Sequence, residues 1–119
     1  DTERIMTALS ELLPAEKVGD AMRCAAAIQF FLPGMPCIYY GDETGMTGGA
    51  DPFNRGFFTE RDRELTEFYR RLGNMRKKSP ALRRGTLEIT EKPGAVVISR
   101  SLGGEKRTLT VSPTEFDIR

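Results

Sequence analysis

The stretch Pro36-Cys37-Ile38-Tyr39-Tyr40-Gly41-Asp42-Glu43 carries most of the information about the fold of this chain. It is a short apolar run that ends in a glycine and two carboxylates. An apolar run of this length is typical of a strand buried on both faces of a parallel sheet. In α/β barrels the residues at the C-terminal ends of such strands form the active site. We therefore predict a buried strand up to Tyr40, with Asp42 and Glu43 at a ligand-binding or catalytic edge.

The residues before this run predict two helices. Residues 2–13 carry apolar side chains at helical spacing, and Pro14 ends the pattern. A second helix is expected from about Val18 to Leu32. It is apolar on most of its faces, which indicates a helix that is buried on more than one side.

The residues after the run predict a long loop and a third helix. The loop, from Gly41 to about Phe58, is rich in glycine and longer than most loops of compact domains. Loops of this length are usually functional or disordered. The helix is expected to begin with Thr59 as its N-cap and Asp62 as a capping partner, and to end at Lys78.

The last part of the chain changes character and predicts an antiparallel β-meander. Three strands are expected over residues 86–90, 95–100 and 107–111, separated by Lys92-Pro93-Gly94 and Gly103-Gly104. A fourth strand is expected near residues 116–118. The chain thus predicts a helix–strand–helix unit followed by a small β module.

Composition excludes several classes of function. The chain has 119 residues and a net charge of +1, and no apolar run is long enough to span a bilayer. It has no histidine, so the commonest general base and metal ligand is missing. Cys24 and Cys37 are expected to be buried free thiols, and with no secretory signature we expect a cytoplasmic protein. The basic residues between 70 and 84 predict a solvated helix face rather than a nucleic-acid site.

Three groups of polar residues allow both a structural and a functional interpretation. Asp42 and Glu43 form a polar turn or helix cap, or take part in catalysis; adjacent residues point in different directions, which argues against an acid–base pair. Asp51 and Arg55 form a local ion pair, or bind the hydroxyls of a sugar or another polyol. The acidic residues at 1–4 fit the N-terminus of a helix, where the dipole favours them.

Taken together, these residues resemble the α-amylase superfamily of glycoside hydrolases, and most closely the neopullulanase, cyclomaltodextrinase and maltogenic amylase group. Residues 34–43 match the family's Gly-x-Pro-x-Ile-Tyr-Tyr-Gly-Asp-Glu segment in full. Residues 45–52 resemble the loop that follows it, and residues 1–4 look like the continuation of the family's His-Asp-Thr-x-Arg motif. Residues 79–83 resemble its link from the barrel to a C-terminal β domain. The resemblance is specific over residues 1–85 and weaker beyond.

The resemblance implies a fold and a set of roles. The fold would be α/β: residues 1–82 would be the last helix–strand–helix part of a (β/α)8 barrel, and residues 83–119 part of a β domain. Asp1 would be the third catalytic carboxylate, which binds sugar hydroxyls and stabilises the transition state. Asp51 and Arg55 would bind glucose units. Arg4 would orient neighbours of Asp1, and the pair Asp42 and Glu43 would build the floor of the site.

The resemblance also implies what these residues cannot do alone. The family's nucleophile and general acid come from the fourth and fifth barrel strands, which are not among these 119 residues. We therefore expect part of a longer retaining enzyme that acts on α-1,4-glucans or cyclodextrins, inactive by itself. No cofactor is expected, although calcium in the longer protein stays open. The alternative is a non-catalytic module that binds sugar or self-associates. Exposed apolar surface left by the missing strands predicts a homo-oligomer.

Overall fold

A computed structural model describes residues 3–119 and shows helices followed by an antiparallel sheet. The helices are α1 (Ile5–Leu12), α2 (Ala15–Phe31), α3 (Arg63–Lys78) and α4 (Pro80–Arg84). The strands are β1 (Thr86–Lys92), β2 (Ala95–Leu102), β3 (Glu105–Val111) and β4 (Phe116–Ile118). Two single-turn 3-10 helices, Asp42–Thr44 and Phe53–Arg55, lie between α2 and α3. Within the part of the chain that is described, no helix has the length and apolar character needed to cross a membrane.

Helix α2 lies at the centre because two of its faces are apolar. One face joins α3 in a core made by Met22, Ala26, Phe30, Leu65, Phe68, Tyr69 and Leu72. The other face joins α4 and the sheet in a core made by Cys24, Ala27, Phe31, Leu82, Ile98, Leu109 and Val111. The prediction that this helix is buried on more than one side is confirmed. Because helix and sheet share the second core, the two predicted parts of the chain pack as one body, and the boundary between residues 82 and 83 stays a prediction.

Helix α3 begins later than the sequence predicts. Its N-cap is Asp62, whose carboxylate accepts a hydrogen bond from the backbone N–H of Leu65 at 3.0 Å. The prediction that Thr59 is the N-cap is therefore wrong. The reason lies far away in sequence: the backbone N–H of Asp62 donates to the carbonyl of Thr44 at 3.1 Å. This contact holds Asp62 just outside the helix.

The β-meander is confirmed, in the order β1-β2-β3-β4. Its first turn is a two-residue loop because Lys92 pairs with Ala95, and Gly94 between them has a φ of +74°. The short helix α4 was not predicted. Its N-cap is Ser79, whose hydroxyl accepts from the N–H of Leu82 at 3.2 Å, and Pro80 opens the first turn.

The prediction of a buried strand over residues 36–40 is wrong. None of these residues is paired in the sheet described, and Ile38, Tyr39 and Tyr40 are 37%, 43% and 39% exposed. A barrel strand needs a hydrogen-bonded strand at each of its edges and packed layers over both of its faces. All strands among residues 3–119 belong to the meander, so the segment has no partner there. Cys37 is exposed for the same reason, which corrects its predicted burial, whereas Cys24 is a buried free thiol as predicted.

Two buried arginines close the C-terminal end of α2. Arg76 donates to the carbonyl of Phe30 at 2.6 Å and to the carbonyl of Gly34. Arg100 donates to the carbonyl of Phe31 at 2.9 Å. The last carbonyls of a helix have no partner within it and carry partial negative charge, so cations suit this position. The prediction that the basic residues of this helix are all solvated is wrong for Arg76, which is 9% exposed. Burial lowers the pKa of both guanidinium groups.

Candidate functional site

The buried guanidinium of Arg4 connects the start of the chain with the segment that follows α2. Its Nη1 donates to the carbonyl of Tyr40 at 2.7 Å and to Oδ1 of Asp42 at 3.1 Å. Its central carbon lies 4.7 Å from the ring centroid of Tyr39 and 4.8 Å from that of Tyr40. Both distances are within the range of cation–π attraction. Arg4 is only 2% exposed, whereas its partners Tyr39 and Tyr40 are 43% and 39% exposed.

Burial has a larger effect than the ion pair on the pKa of the carboxyl group of Asp42. Burial raises the pKa of Asp42, the guanidinium of Arg4 lowers it, and burial has the larger effect. Nε and Nη2 of Arg4 are buried and have no hydrogen-bond partner within the described part of the chain. A buried donor without a hydrogen-bond partner costs free energy, and the stacking of the guanidinium on the two tyrosine rings offsets part of that cost.

Glu43 takes a different direction from Asp42 although it is adjacent in sequence. One of its carboxylate oxygens accepts from the backbone N–H of Gly41 at 2.5 Å, which closes the turn. Its own carbonyl accepts from the hydroxyl of Thr66 on α3 at 3.0 Å. Gly41 has a φ of +91°, a conformation that side chains rarely adopt, and this explains the glycine before the two carboxylates. Glu43 thus ties the turn to α3.

The two tyrosines hold the loop that contains Asp51 and Arg55. The hydroxyl of Tyr39 donates to the carbonyl of Asn54 at 3.1 Å, and the hydroxyl of Tyr40 donates to the carbonyl of Gly56 at 2.7 Å. On the side of α1, the N–H of Gly48 donates to the hydroxyl of Thr7 at 2.8 Å. The loop is therefore fixed to both the tyrosine segment and α1.

Asp51 and Arg55 form the local ion pair that was one of the two predicted interpretations. Nε of Arg55 lies 2.5 Å from Oδ1 of Asp51, and the side chains are 62% and 44% exposed. An exposed pair of this kind contributes little to stability. Both side chains keep free hydrogen-bonding capacity toward solvent. The charge of Arg55 also reaches Tyr39, where it opposes the effects of burial and of Tyr40, which raise the pKa of that phenol.

The structure brings together most, but not all, of the residues predicted for the site. Arg4 and Asp42 are in direct contact, and the loop of Asp51 and Arg55 is attached to the same cluster through the tyrosines. Asp1 lies outside the described residues, and the carboxylate of Glu43 binds the backbone N–H of Gly41 and does not contact Arg4 in any hydrogen bond described.

The tyrosines are stacking partners of Arg4, a role that was not predicted from the sequence. The signal that points to it is a pair of adjacent aromatic residues directly before a glycine turn. No group of three or more metal-binding side chains occurs within residues 3–119. Whether a longer protein binds calcium stays open.

Apolar side chains are also exposed beside the cluster. Met35 and Phe57 are 92% and 97% exposed, and Phe53 is 74% exposed. Exposed aromatic side chains next to hydrogen-bonding groups suit both sugar rings and protein partners. This surface therefore agrees with a ligand or interaction site without choosing between the two.

Comparison with known proteins identifies the family. The family model for the α-amylase catalytic domain matches residues 1–60. The chain belongs to the α-amylase family. A cyclomaltodextrinase from Geobacillus thermopakistaniensis is 40% identical over 114 residues, which are 88% of this chain and 18% of that protein. An amylopullulanase from Thermoanaerobacter thermohydrosulfuricus is 42% identical over 77 residues, which are 63% of this chain and 5% of that protein.

The solved structures extend this relation to the fold. An α-amylase from Anoxybacillus matches with a TM-score of 0.85 and 32% identity, over 96% of this chain and 25% of that one. The helices and the antiparallel sheet correspond to the C-terminal part of α-amylase family TIM-barrel enzymes, so the predicted fold class is confirmed. This chain therefore spans a quarter or less of these three relatives.

Proposed function

We propose that these residues are part of a retaining glycoside hydrolase that acts on α-1,4-glucans or cyclodextrins. The observation that supports this proposal best is the Arg4 cluster. Arg4 lies three positions after Asp1, and its guanidinium contacts both the carbonyl of Tyr40 and the carboxylate of Asp42. The α-amylase family carries its sugar-binding cleft at this edge of the barrel. The family relation and this contact together favour a glucan substrate.

The residues of the cluster have separate roles in this proposal. Asp1 would be the third catalytic carboxylate and bind sugar hydroxyls. Arg4 would be a positioning residue, because it is buried and acts through its neighbours. Asp51 and Arg55 would bind glucose units, since a carboxylate accepts from hydroxyls and a guanidinium donates to them. Asp42 would support the floor of the site through its contact with Arg4.

The same proposal predicts that the 119 residues are inactive alone. A retaining glycosidase needs a nucleophile and an acid whose carboxyl groups lie about 5–5.5 Å apart across the scissile bond. The resemblance assigns both groups to barrel strands that are not in this sequence. Incubation with maltoheptaose or β-cyclodextrin is expected to release no reducing sugar above a buffer blank. Measurable turnover would contradict this part of the proposal.

The assignment of Asp51 and Arg55 is tested by calorimetric titration of the chain with maltotriose. We expect binding that Asp51→Ala and Arg55→Ala each weaken at least tenfold. Asp117→Ala is the matched control, because Asp117 also belongs to an exposed ion pair, with Arg119 at 2.7 Å, but lies in the sheet. Equal binding by all variants, or no binding by the unmodified chain, would remove the sugar-binding role.

A second candidate is a non-catalytic module that binds sugar or self-associates. Met35 and Phe57 are 92% and 97% exposed, and they offer apolar contacts that a sugar or a second copy could use. The coding sequence upstream of Asp1 separates the two candidates. An in-frame aspartate and glutamate in barrel-strand contexts supports the enzyme, and their absence supports the module. The cytoplasmic location stays a prediction.

A further inference from the structure

One buried side chain, Thr44, closes the base of the loop of Asp51, which comprises residues 45–60. Thr44 directly precedes the loop and is 1% exposed. Its hydroxyl oxygen accepts from the backbone N–H of Arg61 at 2.8 Å and from that of Asp62 at 3.0 Å. The residue before the loop is therefore joined to the two residues after it. A compact loop whose ends meet in this way is an Ω-loop, a type that is frequently functional.

The two hydrogen bonds to the Thr44 hydroxyl are not equivalent. The N–H of Asp62 also donates to the carbonyl of Thr44 at 3.1 Å, so it keeps a partner when the hydroxyl is removed. For the N–H of Arg61, the hydroxyl is the partner that the structure describes. Arg61 is exposed, so its released N–H can bond to water, which limits the cost to the stability of the fold. Loss of the hydroxyl therefore frees the end of the loop and leaves the rest of the fold in place.

Other hydroxyls hold the loop at points before its C-terminal end. They come from Thr7, Tyr39 and Tyr40, and they bind the backbone at residues 48, 54 and 56. Thr44 adds the anchor at residues 61–62, so the backbone that carries the ion pair of Asp51 is held on both sides. A site that is held in its bound conformation in advance loses less conformational freedom on binding, which raises its affinity.

We propose that Thr44 is a positioning residue for sugar binding, because its hydroxyl holds the loop of Asp51 in the conformation that receives glucose units. Thr44 is buried and acts through the loop backbone, without touching the sugar. Because it takes Asp51 and Arg55 as glucose-binding residues, this role rests on the proposed function. It adds to that function a residue outside the loop, on the 3-10 turn Asp42–Thr44, that sets the affinity of the site.

Calorimetric titration of the 119-residue chain and its variants with maltotriose tests the proposal. Thr44→Val keeps the shape of the side chain and removes the hydroxyl, so we expect the dissociation constant to rise about fivefold. Thr44→Ser keeps the hydroxyl and is expected to stay within about twofold of the original. The matched control is Thr47→Val, because Thr47 is exposed and its hydroxyl contacts the side chain of Arg61 at 3.4 Å. The affinity of this control should not change.

Amide hydrogen exchange measured by NMR reports the same contact in the absence of sugar. The N–H of Arg61 should exchange about tenfold faster in Thr44→Val and at nearly the original rate in Thr44→Ser. Circular dichroism below the unfolding transition confirms that each variant is folded, since a loss of global stability alone does not change the affinity of the folded chain. Thr44→Ala, which also lacks the hydroxyl, takes the place of Thr44→Val if that variant does not fold.

The possible outcomes separate the role of Thr44 from the proposed function. No maltotriose binding by the unmodified chain, or equal binding by Asp51→Ala, overturns both. Binding that Asp51→Ala weakens and Thr44→Val leaves unchanged overturns the role of Thr44 alone. The same holds for equal losses in Thr44→Val and Thr44→Ser, for a loss of equal size in Thr47→Val, and for an unchanged exchange rate at Arg61 in Thr44→Val. In each of these cases the effect does not come from the hydroxyl of Thr44.

Discussion

Replacing Arg100 with methionine tests whether a buried cation closes the C-terminal end of α2. The side chain is 1% exposed and donates to three carbonyls: Phe31 at 2.9 Å, Gly85 at 3.0 Å and Thr86 at 3.3 Å. Methionine fills most of the same volume but donates nothing. The change therefore removes the hydrogen bonds while keeping the packing.

The expected cost depends on which carbonyls water can reach afterwards. Phe31 is fully buried, so its carbonyl is left unsatisfied at about 1–3 kcal/mol. Gly85 and Thr86 lie nearer the surface, and each lost bond there costs about 0.5–1.5 kcal/mol. Methionine also removes the cost of burying a guanidinium that has no carboxylate partner, and this offsets part of the loss. We expect a net loss of about 3 kcal/mol, a large share of the total stability of a domain this size.

The assay is urea unfolding followed by circular dichroism, with thermal unfolding as a second measurement. A loss of about 3 kcal/mol corresponds to a fall in Tm of roughly 12 °C, since the unfolding entropy is about 2.1 cal/mol/K per residue. Arg84→Met is the control, because Arg84 is an exposed arginine at the end of α4. Arg100→Lys keeps the charge but not the fork of donors. A loss below about 0.5 kcal/mol in Arg100→Met, or one equal to that of Arg84→Met, would refute the reasoning.

Three further predictions concern the loop, α4 and the tyrosine cluster. Gly48→Ala should lower stability by about 1–3 kcal/mol in urea unfolding, because the new Cβ would lie 2.4 Å from the carbonyl oxygen of Phe53; an unchanged midpoint would contradict it. The hydrogen bond from the N–H of Ala81 holds the pKa of Glu105 below its usual range. Glu105 therefore stabilises the fold at pH values above its unfolded pKa, and this stabilisation is lost as the pH falls through its folded pKa. Glu105→Gln should flatten the dependence of the free energy of unfolding on pH in this range. Arg4→Met should lower the free energy of unfolding by about 3 kcal/mol, because it leaves a buried ion pair broken. It should also raise the pKa of Asp42 further in an NMR titration, because the guanidinium that lowers this pKa is removed.

Local pattern was sufficient for the elements that depend on nearby residues. The two-sided burial of α2 follows from apolar residues on most of its faces, and the meander follows from alternation and from turns such as Pro93-Gly94. The start of α3 was missed because Thr44, eighteen residues before Asp62, decides which residue caps the helix. A capping pattern spans only a few residues, so it does not report a contact between residues eighteen positions apart.

The candidate site shows the same division between local and distant information. Asp51 and Arg55 are four residues apart, and their ion pair was one of two open interpretations. Arg4 contacts Tyr40 and Asp42, which lie 36 and 38 positions later in the sequence. Neither composition nor periodicity gives a signal for contacts of this range. The apolar run over residues 36–40 has the pattern of a buried strand but is exposed. Burial of a barrel strand depends on neighbouring strands, and no pattern within the strand itself supplies them.

Buried arginines organise the segment in place of apolar packing. Arg76 and Arg100 bind carbonyls at the end of α2, and Arg4 binds the carbonyl of Tyr40 further along. Each therefore holds backbone between residues 30 and 40, which otherwise lacks strand partners in the structure described. Because the hydroxyl of Tyr39 also binds the loop of Asp51 through the carbonyl of Asn54, we expect a change at the end of α2 to affect that loop. Arg100→Met should therefore weaken maltotriose binding as well as stability, although Arg100 is remote in sequence from every residue of the cluster.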